Sequence, residues 1–267
     1  MSVHTTLLAG KNAVIYGAGG GLGSGMATAF AAAGARVFLT GRSRASLDAV
    51  AGEINAAGGR AEVAVVDALD EQAVTAHAEA LVAEAGSIDI SLNLITRGDV
   101  QGVPLVEMAR ADLLRAVDNG LGSNFITATA AARQMIKQGS GVILALNSGS
   151  AHGSPMMGST GPADAAIDTF VRNLAMEIGP HGVRVLGIWV AGVPETLSPA
   201  KVGMVNADLS GNDAAFQGLL DQLDSMRMLR RSPRLAQVAD AAVFLASDAA
   251  GALTGTFVNV TGGMFAS

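Results

Sequence analysis

The chain of 267 residues contains no cysteine, one tyrosine and one tryptophan. The absence of cysteine excludes disulfide bonds, thiolate metal ligands and a cysteine nucleophile, and it is compatible with a cytoplasmic protein without fixing the compartment. Charged residues make up only 15% of the chain, whereas half of it is hydrophobic. Most apolar side chains must therefore be buried in a compact body, and disorder is not expected.

The sequence also lacks a basic stripe, a membrane span and a metal-binding pattern. Its net charge is −6, whereas nucleic-acid binding depends on clustered Lys and Arg, so no nucleic-acid partner is expected. The most apolar late segment, Val183 to Pro194, contains two glycines and is too short to cross a bilayer. The start, Met1 to Lys11, lacks a secretory signal pattern, and no His-Glu-x-x-His spacing occurs. We expect a soluble, cytoplasmic protein without metal, acting on a small molecule.

A glycine-rich turn follows the first apolar run. Asn12 to Tyr16 has the pattern of a buried strand, and an alanine-rich helical stretch from Met26 to Ala33 follows the glycines. Glycines at such a junction let the backbone approach a pyrophosphate closely, and the helix N terminus adds a field that attracts negative charge. A flexible surface turn is the alternative, but the strand before and the helix after favour a dinucleotide site. The residues expected to line this site are Gly17, Gly19, Gly21, Leu22 and Gly23.

Short strand-like runs alternate with longer helical runs along the whole chain. This order is typical of right-handed βαβ crossovers onto a parallel sheet. The predicted strands are Ala13–Tyr16, Arg36–Thr40, Glu62–Val66, Ile88–Leu92, Val142–Leu146, Val183–Trp189 and Thr256–Val260. The predicted helices are Leu22–Ala33, Ser43–Ala57, Glu71–Glu84, Ala111–Gln138, Ala163–Ile178 and Leu235–Ala246. The pattern predicts one α/β domain over residues 1–267, a doubly wound Rossmann fold with a parallel seven-stranded sheet flanked by helices on both faces.

One segment, residues 197–229, interrupts this alternation. It contains Met, Ser, Gly and Asn between the sixth predicted strand and the next clear helix. A mobile lid is one interpretation. An ordered helical excursion is the other, because Ala214 to Met228 is itself amphipathic.

The order of these segments resembles the short-chain dehydrogenase/reductase family over nearly the whole chain. The residues that carry the resemblance are Gly17, Gly21 and Gly23 in the glycine turn, Asp67 after the third strand, Ser148 after the fifth strand, Val243 to Asp248, Leu253 to Gly255, and Gly262-Gly263. The resemblance implies a Rossmann fold, a nicotinamide dinucleotide and a homodimer or homotetramer built through the long helices Ala111–Gln138 and Ala163–Ile178 and through the C-terminal segment.

The cofactor expected is NADP(H). An NAD site would place Asp or Glu at the end of the second strand to hold the ribose 2′-hydroxyl, but this chain has Arg42 and Ser43 there. A planar cation at this point suits a 2′-phosphate. The alternative is that Arg42 is only a solvated residue at a helix start. The resemblance further implies cofactor contacts from Asp67, Ala68, Asn93, Val193 and Thr196, the last two at the nicotinamide carboxamide.

The family's carbonyl reduction uses a tyrosine and a lysine, and this chain departs from both. Alignment through the helix that contains Phe170 brings Thr160 to the tyrosine position and Asp164 to the lysine position. The family's helix asparagine aligns with Gly120, although Asn119 is adjacent. No shift of the alignment supplies a phenol, because the only tyrosine is Tyr16 in the glycine turn. A threonine hydroxyl is too weak an acid to replace a phenol whose pKa is about 10, and a neighbouring aspartate would raise its pKa further.

The candidate catalytic residues are therefore Ser148, Thr160 and His152. Ser148 can donate one hydrogen bond to a substrate oxygen, and His152 could serve as an acid at neutral pH, although a loop histidine is usually only solvated.

Three functions remain open. The first is an NADP(H)-dependent oxidoreductase of altered catalytic site acting on a carbonyl, an imine or an activated alkene. The second is a non-redox lyase, isomerase or cyclase that uses Asp164 or His152, and the third is a catalytically silent NADP(H)-binding protein.

Overall fold

Seven parallel strands form one sheet in this computed structural model, which describes residues 6–205 and 213–266. The strands are β1 (Asn12–Tyr16), β2 (Arg36–Gly41), β3 (Arg60–Val65), β4 (Ile90–Asn93), β5 (Gly141–Asn147), β6 (Val183–Trp189) and β7 (Phe257–Asn259). Their spatial order is β3-β2-β1-β4-β5-β6-β7, and every neighbouring pair is parallel. The predicted α/β fold with a seven-stranded parallel sheet is confirmed.

Eight longer helices connect or flank these strands in the described residues. They are α1 (Gly21–Ala32), α2 (Arg44–Ala56), α3 (Glu71–Ala85), α4 (Arg110–Gln138), α5 (Thr160–Ile178), α6 (Pro199–Val205), α7 (Asp213–Met226) and α8 (Leu235–Ala246). One buried apolar cluster joins the sheet to α1, α2 and α8, and a second joins its other face to α3, α4 and α5. The sheet is thus covered on both faces, which explains why its strands are nearly continuous apolar runs.

Local signals account for several helix ends. The carboxylate of Asp70 accepts the backbone N–H of Ala73 at 3.0 Å and so caps α3 at its start. Gly86 and Gly139 end α3 and α4 in the left-handed conformation, which a glycine adopts without the penalty of a β-carbon.

The structure differs from the sequence prediction mainly at α5 and in residues 197–229. Helix α5 begins at Thr160, three residues before the predicted start, because Gly161 and Pro162 have the composition of a loop yet lie in the first turn of a helix, where proline is tolerated. Residues 197–229 contain α6 and α7. Residues 206–212 of this segment lie outside the described range.

The strand order reverses between β1 and β4. From β1 the chain adds strands towards one edge of the sheet, ending at β3, and from β4 it adds strands towards the other edge, ending at β7. In open parallel sheets a crevice forms outside the carboxyl ends of the strands at such a reversal, and ligands bind there. The segments after β1, β4, β5 and β6 all begin at this edge. Within residues 6–205 and 213–266, no helix combines the length and hydropathy that a bilayer span requires.

Candidate active site

The glycine turn after β1 is packed so tightly that side chains would not fit. Gly17 has φ +83°, and a β-carbon added there would lie 2.7 Å from the carbonyl oxygen of Leu94. A β-carbon at Gly23 would overlap the carbonyl oxygen of Gly17, and one at Gly19 would overlap the hydroxyl of Ser46. Gly17 and Gly23, whose added β-carbons would meet backbone atoms, are therefore required by the backbone path, whereas Gly19 is restricted by the Ser46 side chain.

The N terminus of α1, which this turn leads into, has no side-chain cap. Its N-cap residue is Gly20, and the first turn contains no acidic residue. Backbone N–H groups at an uncapped helix start, together with the positive end of the helix dipole, are suited to a phosphate group. The turn with Gly21 and Leu22 therefore fits the pyrophosphate of a dinucleotide.

The next loop of the crevice presents an arginine at the end of β2. Arg42 is exposed, and no ion pair that the described residues form includes it. Its neighbour Ser43 is the N-cap of α2, and Arg44 is paired with Asp48 at 2.9 Å. The guanidinium of Arg42 can therefore serve an anionic group, whereas that of Arg44 already has a carboxylate partner.

The residues after β3 and β4 differ in how accessible they are. Asp67 is exposed, and one of its oxygens accepts the N–H of Leu69 at 3.0 Å, whereas Ala68 is buried. Asn93 is buried, and its amide donates to the Thr127 hydroxyl at 3.0 Å. Its oxygen accepts the N–H of the residue two positions later. Asn93 thus ties β4 to α4 and shapes the loop above β4.

The loop after β6 approaches the glycine turn from the opposite side. Val193 is buried, and the hydroxyl of Thr196 donates to its carbonyl at 2.9 Å. A β-carbon at Gly21 would lie 3.1 Å from Cβ of Thr196. The predicted pyrophosphate and nicotinamide segments are therefore in contact across the crevice.

A buried arginine supports this loop from behind. Arg227, directly after α7, is only 1% exposed, and its guanidinium donates to the carbonyls of Ala191, Gly192, Leu223 and Thr261. Burial lowers its pKa, and the nearby carboxylate of Asp224 opposes that shift. Arg227 thus joins α7, the C-terminal segment and the loop after β6.

Asp164 is the centre of a polar cluster above β5. Its side chain is fully buried. One oxygen, Oδ1, accepts Nη1 of Arg97 at 2.6 Å. The other, Oδ2, accepts the Ser148 hydroxyl at 2.6 Å and the backbone N–H groups of Ser148 and Ser150 at 3.1 and 2.9 Å. Four donors, one of them the guanidinium of Arg97, thus surround this carboxylate.

The direction of the serine hydrogen bonds follows from this arrangement. A serine hydroxyl has one proton, and Ser148 donates it to Oδ2 of Asp164. Oγ of Ser148 also lies 2.7 Å from Oγ of Ser150. Ser150 must be the donor in that contact. The backbone N–H of Ser150 also donates to the Ser148 oxygen at 3.3 Å, so the one donor and both acceptor positions of this hydroxyl are used within the cluster.

Arg97 lies between two carboxylates at the start of the loop after β4. It contacts Asp164 through Nη1 and Asp99 through Nη2 at 2.9 Å. Burial by itself would lower the pKa of Arg97, but the two carboxylates outweigh burial and raise it. The backbone carbonyl of Arg97 accepts the Asn119 amide of α4 at 3.0 Å. The arginine is thus fixed at both its backbone and its side chain.

The other two candidate catalytic residues lie on either side of Ser148. Thr160 is 2% exposed, and its hydroxyl accepts Nε2 of Gln101 at 3.0 Å. His152 is exposed in a short 3-10 turn, with its ring edge-on to Trp189 at a centroid distance of 4.5 Å. The single tyrosine, Tyr16, is buried at the end of β1, and burial raises the pKa of its phenol, which makes it a still weaker acid.

A second buried carboxylate lies one helical turn beyond Asp164. Asp168 accepts the amide of Asn147 at 2.7 Å and lies 3.7 Å from the guanidinium of Arg172. Burial raises its pKa, and the hydrogen bond from Asn147 and the charge of Arg172 oppose that rise. In the described residues, no group of three or more His, Cys, Asp or Glu side chains could hold a metal ion.

Sequence reasoning missed three members of this region: Arg97, Ser150 and Arg227. Arg97 and Asp164 are 67 positions apart, so their pairing depends on α5 packing beside the loop after β4. A usable signal was present for Arg97, because it is a charged residue in the segment that follows a buried strand at the predicted sheet edge, in a chain that has few charges. Arg227 offers no comparable signal, because its neighbours Met226, Met228 and Arg230 are exposed.

Comparison with protein families gives one model that matches residues 17–265, described as enoyl-(acyl carrier protein) reductase. Among curated proteins, the chain is 33% identical to the 7alpha-hydroxysteroid dehydrogenase of Escherichia coli strain K12 over 262 residues, which cover 96% of this chain and 94% of that protein. It is 29% identical to the 3-oxoacyl-[acyl-carrier-protein] reductase FabG of Chlamydia muridarum over 265 residues, which cover 97% and 99% of the two chains.

Solved structures agree with these matches. A crystal structure of a hydroxysteroid dehydrogenase from Escherichia coli is 31% identical, has a TM-score of 0.77 and covers 96% of this chain and 97% of its own. A crystal structure of a short-chain type dehydrogenase/reductase from Mycobacterium marinum is 29% identical, has a TM-score of 0.83 and covers 97% of each chain. The likeness therefore extends over the whole sheet and its helices.

Proposed function

Because this chain belongs to the short-chain dehydrogenase/reductase family, we propose that it is an NADP(H)-dependent oxidoreductase with an altered catalytic site, acting on a small organic carbonyl, imine or activated alkene. The family binds a nicotinamide dinucleotide, and the uncapped, glycine-only start of α1 carries the proposal for this chain. The relatives named above are dehydrogenases and reductases, which supports a hydride transfer to or from the substrate.

The preference for NADP(H) rests on Arg42. The residue is exposed at the end of β2, where a family member that uses NAD would carry an acidic side chain. The bound cofactor would supply the hydride chemistry. The residues proposed to hold it are Gly17, Gly19, Gly21, Leu22, Gly23, Arg42, Ser43, Asp67, Ala68, Asn93, Val193 and Thr196.

The proposal has a direct test in cofactor binding. Trp189 is the only tryptophan and lies at the end of β6, so energy transfer from it to a reduced nicotinamide reports binding. NADPH should bind more tightly than NADH. Arg42→Ala should lose about 10- to 100-fold in NADPH affinity, because charge-assisted hydrogen bonds contribute about 1.5–3 kcal/mol. Arg44→Ala is the matched control and should keep the affinity. Tighter binding of NADH, or no effect of Arg42→Ala, would contradict the NADP(H) assignment.

The altered catalytic site is the second part of the proposal. In the family alignment, Thr160 and Asp164 stand at the tyrosine and lysine positions, and Gly120 stands at the helix asparagine. Thr160 is buried behind Gln101, so Ser148 and His152 remain as the groups nearest to an incoming substrate. The chain has no phenol beside an ammonium group in this alignment, so the substrate must be one whose reduction does not require a proton from such a pair.

A non-redox reaction is the second candidate, and the Ser148–Asp164 hydrogen bond favours it. A serine oxygen backed by a carboxylate can accept a proton from a substrate without any nicotinamide chemistry. Product formation without a change in nicotinamide absorbance would identify this function. Cofactor binding with no conversion of any substrate would instead indicate a silent binding protein.

Two further features belong to the proposal. Residues 197–229, which include α6 and α7, act as a lid over the substrate side of the crevice.

The chain forms a cytoplasmic homodimer or homotetramer through α4 and α5, whose shared groove of about 560 Å³ includes the exposed Phe125 and the neighbouring Phe170. Sedimentation should give a dimer or tetramer at micromolar concentration, and a monomer would contradict the assembly.

A further inference from the structure

The side-chain amide of Gln101 has an acceptor that the protein does not use. Its Nε2 donates to the hydroxyl of Thr160 at 3.0 Å, whereas its oxygen, Oε1, accepts no hydrogen bond from the described residues. The residue is only partly buried. In the described residues, the side-chain atoms that are enclosed and unpaired belong to His77, Asp99 and Trp189. Oε1 of Gln101 is therefore open to a ligand and can accept a hydrogen bond from it.

The backbone around Gln101 holds this amide in place. The N–H of Gln101 donates to the carbonyl of Val205, the last residue of α6, at 2.7 Å. The preceding residue, Val100, donates its N–H to Oγ of Ser159 at 3.0 Å and accepts the N–H of Ser159 at 3.2 Å. The segment is thus tied to the start of α5 and to the end of α6. A group fixed in this way loses little freedom when a ligand binds to it.

The neighbouring polar side chains have no such unused group. The hydroxyl of Ser148 donates to Asp164 and accepts both the hydroxyl and the backbone N–H of Ser150. Asp164 is fully buried, and Thr160 is 2% exposed. Among Ser148, Thr160, Asp164 and Gln101, only Gln101 combines an accessible side chain with an unpaired acceptor. Its amide lies within one hydrogen bond of Thr160, which stands at the tyrosine position in the family alignment.

An uncharged groove of about 450 Å³ begins beside this segment. It is lined by residues of the loop after β4, such as Leu105, and by residues before and within the first turns of α5, such as Met156 and Pro162. None of the described residues that line it is charged. A cavity of this size and polarity suits a small apolar ligand. The groove therefore favours an uncharged substrate body next to the amide of Gln101.

Resting on the oxidoreductase function proposed above, we propose that Gln101 is a substrate-binding residue, whose Oε1 accepts a hydrogen bond from the hydroxyl of an uncharged alcohol. An alcohol is the reduced form of a carbonyl substrate. The alcohol form has the donor that Oε1 requires, whereas a ketone brings only a second acceptor. A carboxamide does not titrate, so Gln101 recognises the hydroxyl and transfers no proton.

The test uses three bicyclic probes that do not react with the NADP⁺-loaded protein. The tertiary alcohol 1-methyl-1-tetralol has a hydroxyl donor but no hydrogen on its carbinol carbon. Its methyl ether and 1-tetralone each have an oxygen acceptor and no donor. Isothermal titration calorimetry gives the three affinities. We expect the alcohol to bind about 3- to 10-fold more tightly than either of the other two, as one neutral hydrogen bond allows.

Variants assign this preference to the amide. Gln101→Met has a similar volume without donor or acceptor and should remove the preference for the alcohol, whereas Gln101→Glu keeps an acceptor and should retain it. Thr160→Val removes the bond to Nε2 but leaves Oε1, so the preference should persist there too. Gln72→Met, at an exposed glutamine of α3, is the matched control and should leave all three affinities unchanged. Thermal unfolding and NADPH binding establish that each variant is folded.

The results separate this proposal from the one on which it rests. If the ether or the ketone binds as tightly as the alcohol, if none of the probes binds, or if Gln101→Met keeps the preference, the assignment of Gln101 is wrong. The assignment is also wrong if Thr160→Val removes the preference as Gln101→Met does, because the bond to Thr160 would then be the cause. NADPH binding by the same protein keeps the oxidoreductase function in all these cases. If the wild-type chain binds no nicotinamide dinucleotide, both proposals fall.

Discussion

The side chain of Arg97 lies across Gly120, so that a β-carbon added at position 120 would stand 2.6 Å from Cδ of the arginine. The guanidinium then continues to Asp164 on α5. In the proposed family alignment, Gly120 and Asp164 stand where an asparagine and a lysine are expected. These departures thus form one arrangement, in which a glycine makes room for an arginine and the arginine pairs with an aspartate.

Gly120→Ala should therefore disturb the cluster. The added methyl group would press on the middle of the Arg97 chain, which is held at both ends, and overpacking of this kind costs about 1–3 kcal/mol. The matched control is Gly122→Ala on the same helix, where the nearest atom is Leu69 Cδ2 at 3.8 Å. That change should stabilise the fold by about 0.5–1 kcal/mol. Urea unfolding measures both, and a neutral or stabilising effect of Gly120→Ala would show that Arg97 is not confined there.

Cofactor binding should depend on Gly23. A methyl group at this position overlaps the carbonyl of Gly17, so Gly23→Ala must displace the turn that leads into α1. We expect at least a 10-fold loss of NADPH affinity in the Trp189 titration, because the amides of the helix start would move. Gly52→Ala in α2 is the control, since nothing lies within 4 Å of its added β-carbon. It should keep the affinity, and equal losses in both variants would contradict a specific role of the turn.

The sequence predicted the fold well wherever the signal was local. The bounds of β6 and α8 match the prediction at both ends, because a short, largely apolar run of Val, Leu and Ile and a longer amphipathic stretch are each distinct local signals. The glycine turn was likewise readable as strand, turn and helix. Residues Gly161 and Pro162 misled the prediction of α5, because a short sequence cannot tell a loop from a first helical turn.

The cluster around Asp164 could not be predicted in the same way. The sequence identified Ser148 and Asp164 as residues of the crevice, but not the hydrogen bond between them or its direction. That bond depends on how the loop after β5 bends back over the first turn of α5. The expectation that Ser148 donates to a substrate oxygen requires its proton to be free, whereas in the structure the proton points to Asp164.

Arg227→Met should weaken both the fold and the nicotinamide end of the cofactor site. Removing the guanidinium takes the donor from four carbonyls, of which that of Thr261 is buried and the others are partly buried, at a cost of about 3 kcal/mol. The loop at Ala191 and Gly192 would lose its support, so NADPH affinity should fall more than the affinity for 2′,5′-ADP, which lacks the nicotinamide. Arg231→Met, at an exposed arginine, is the control. Equal losses for the two ligands would indicate a general loss of structure rather than a specific support of the loop.

His77 should make stability depend on pH. Its Nδ1 is buried without a hydrogen-bond partner in the described residues, and burial lowers its pKa from the ordinary value of 6.5. The unfolded chain then binds more protons than the folded one just below pH 6.5, so stability is retained above that pH and is lost as the pH falls below it. The loss has an upper limit of about 1.4 kcal/mol per pH unit for one proton.

The variant His77→Leu should remove this acid-side loss, because leucine binds no proton and fills a half-buried position on α3 with apolar atoms. Urea unfolding of both proteins at pH 7.5 and at pH 5.5 measures the effect. The gap between the variant and the wild type should widen at the lower pH, while His181→Gln, at an exposed histidine, should follow the wild type. Parallel stability curves for His77→Leu and the wild type would mean that His77 is protonated equally in the folded and unfolded chains.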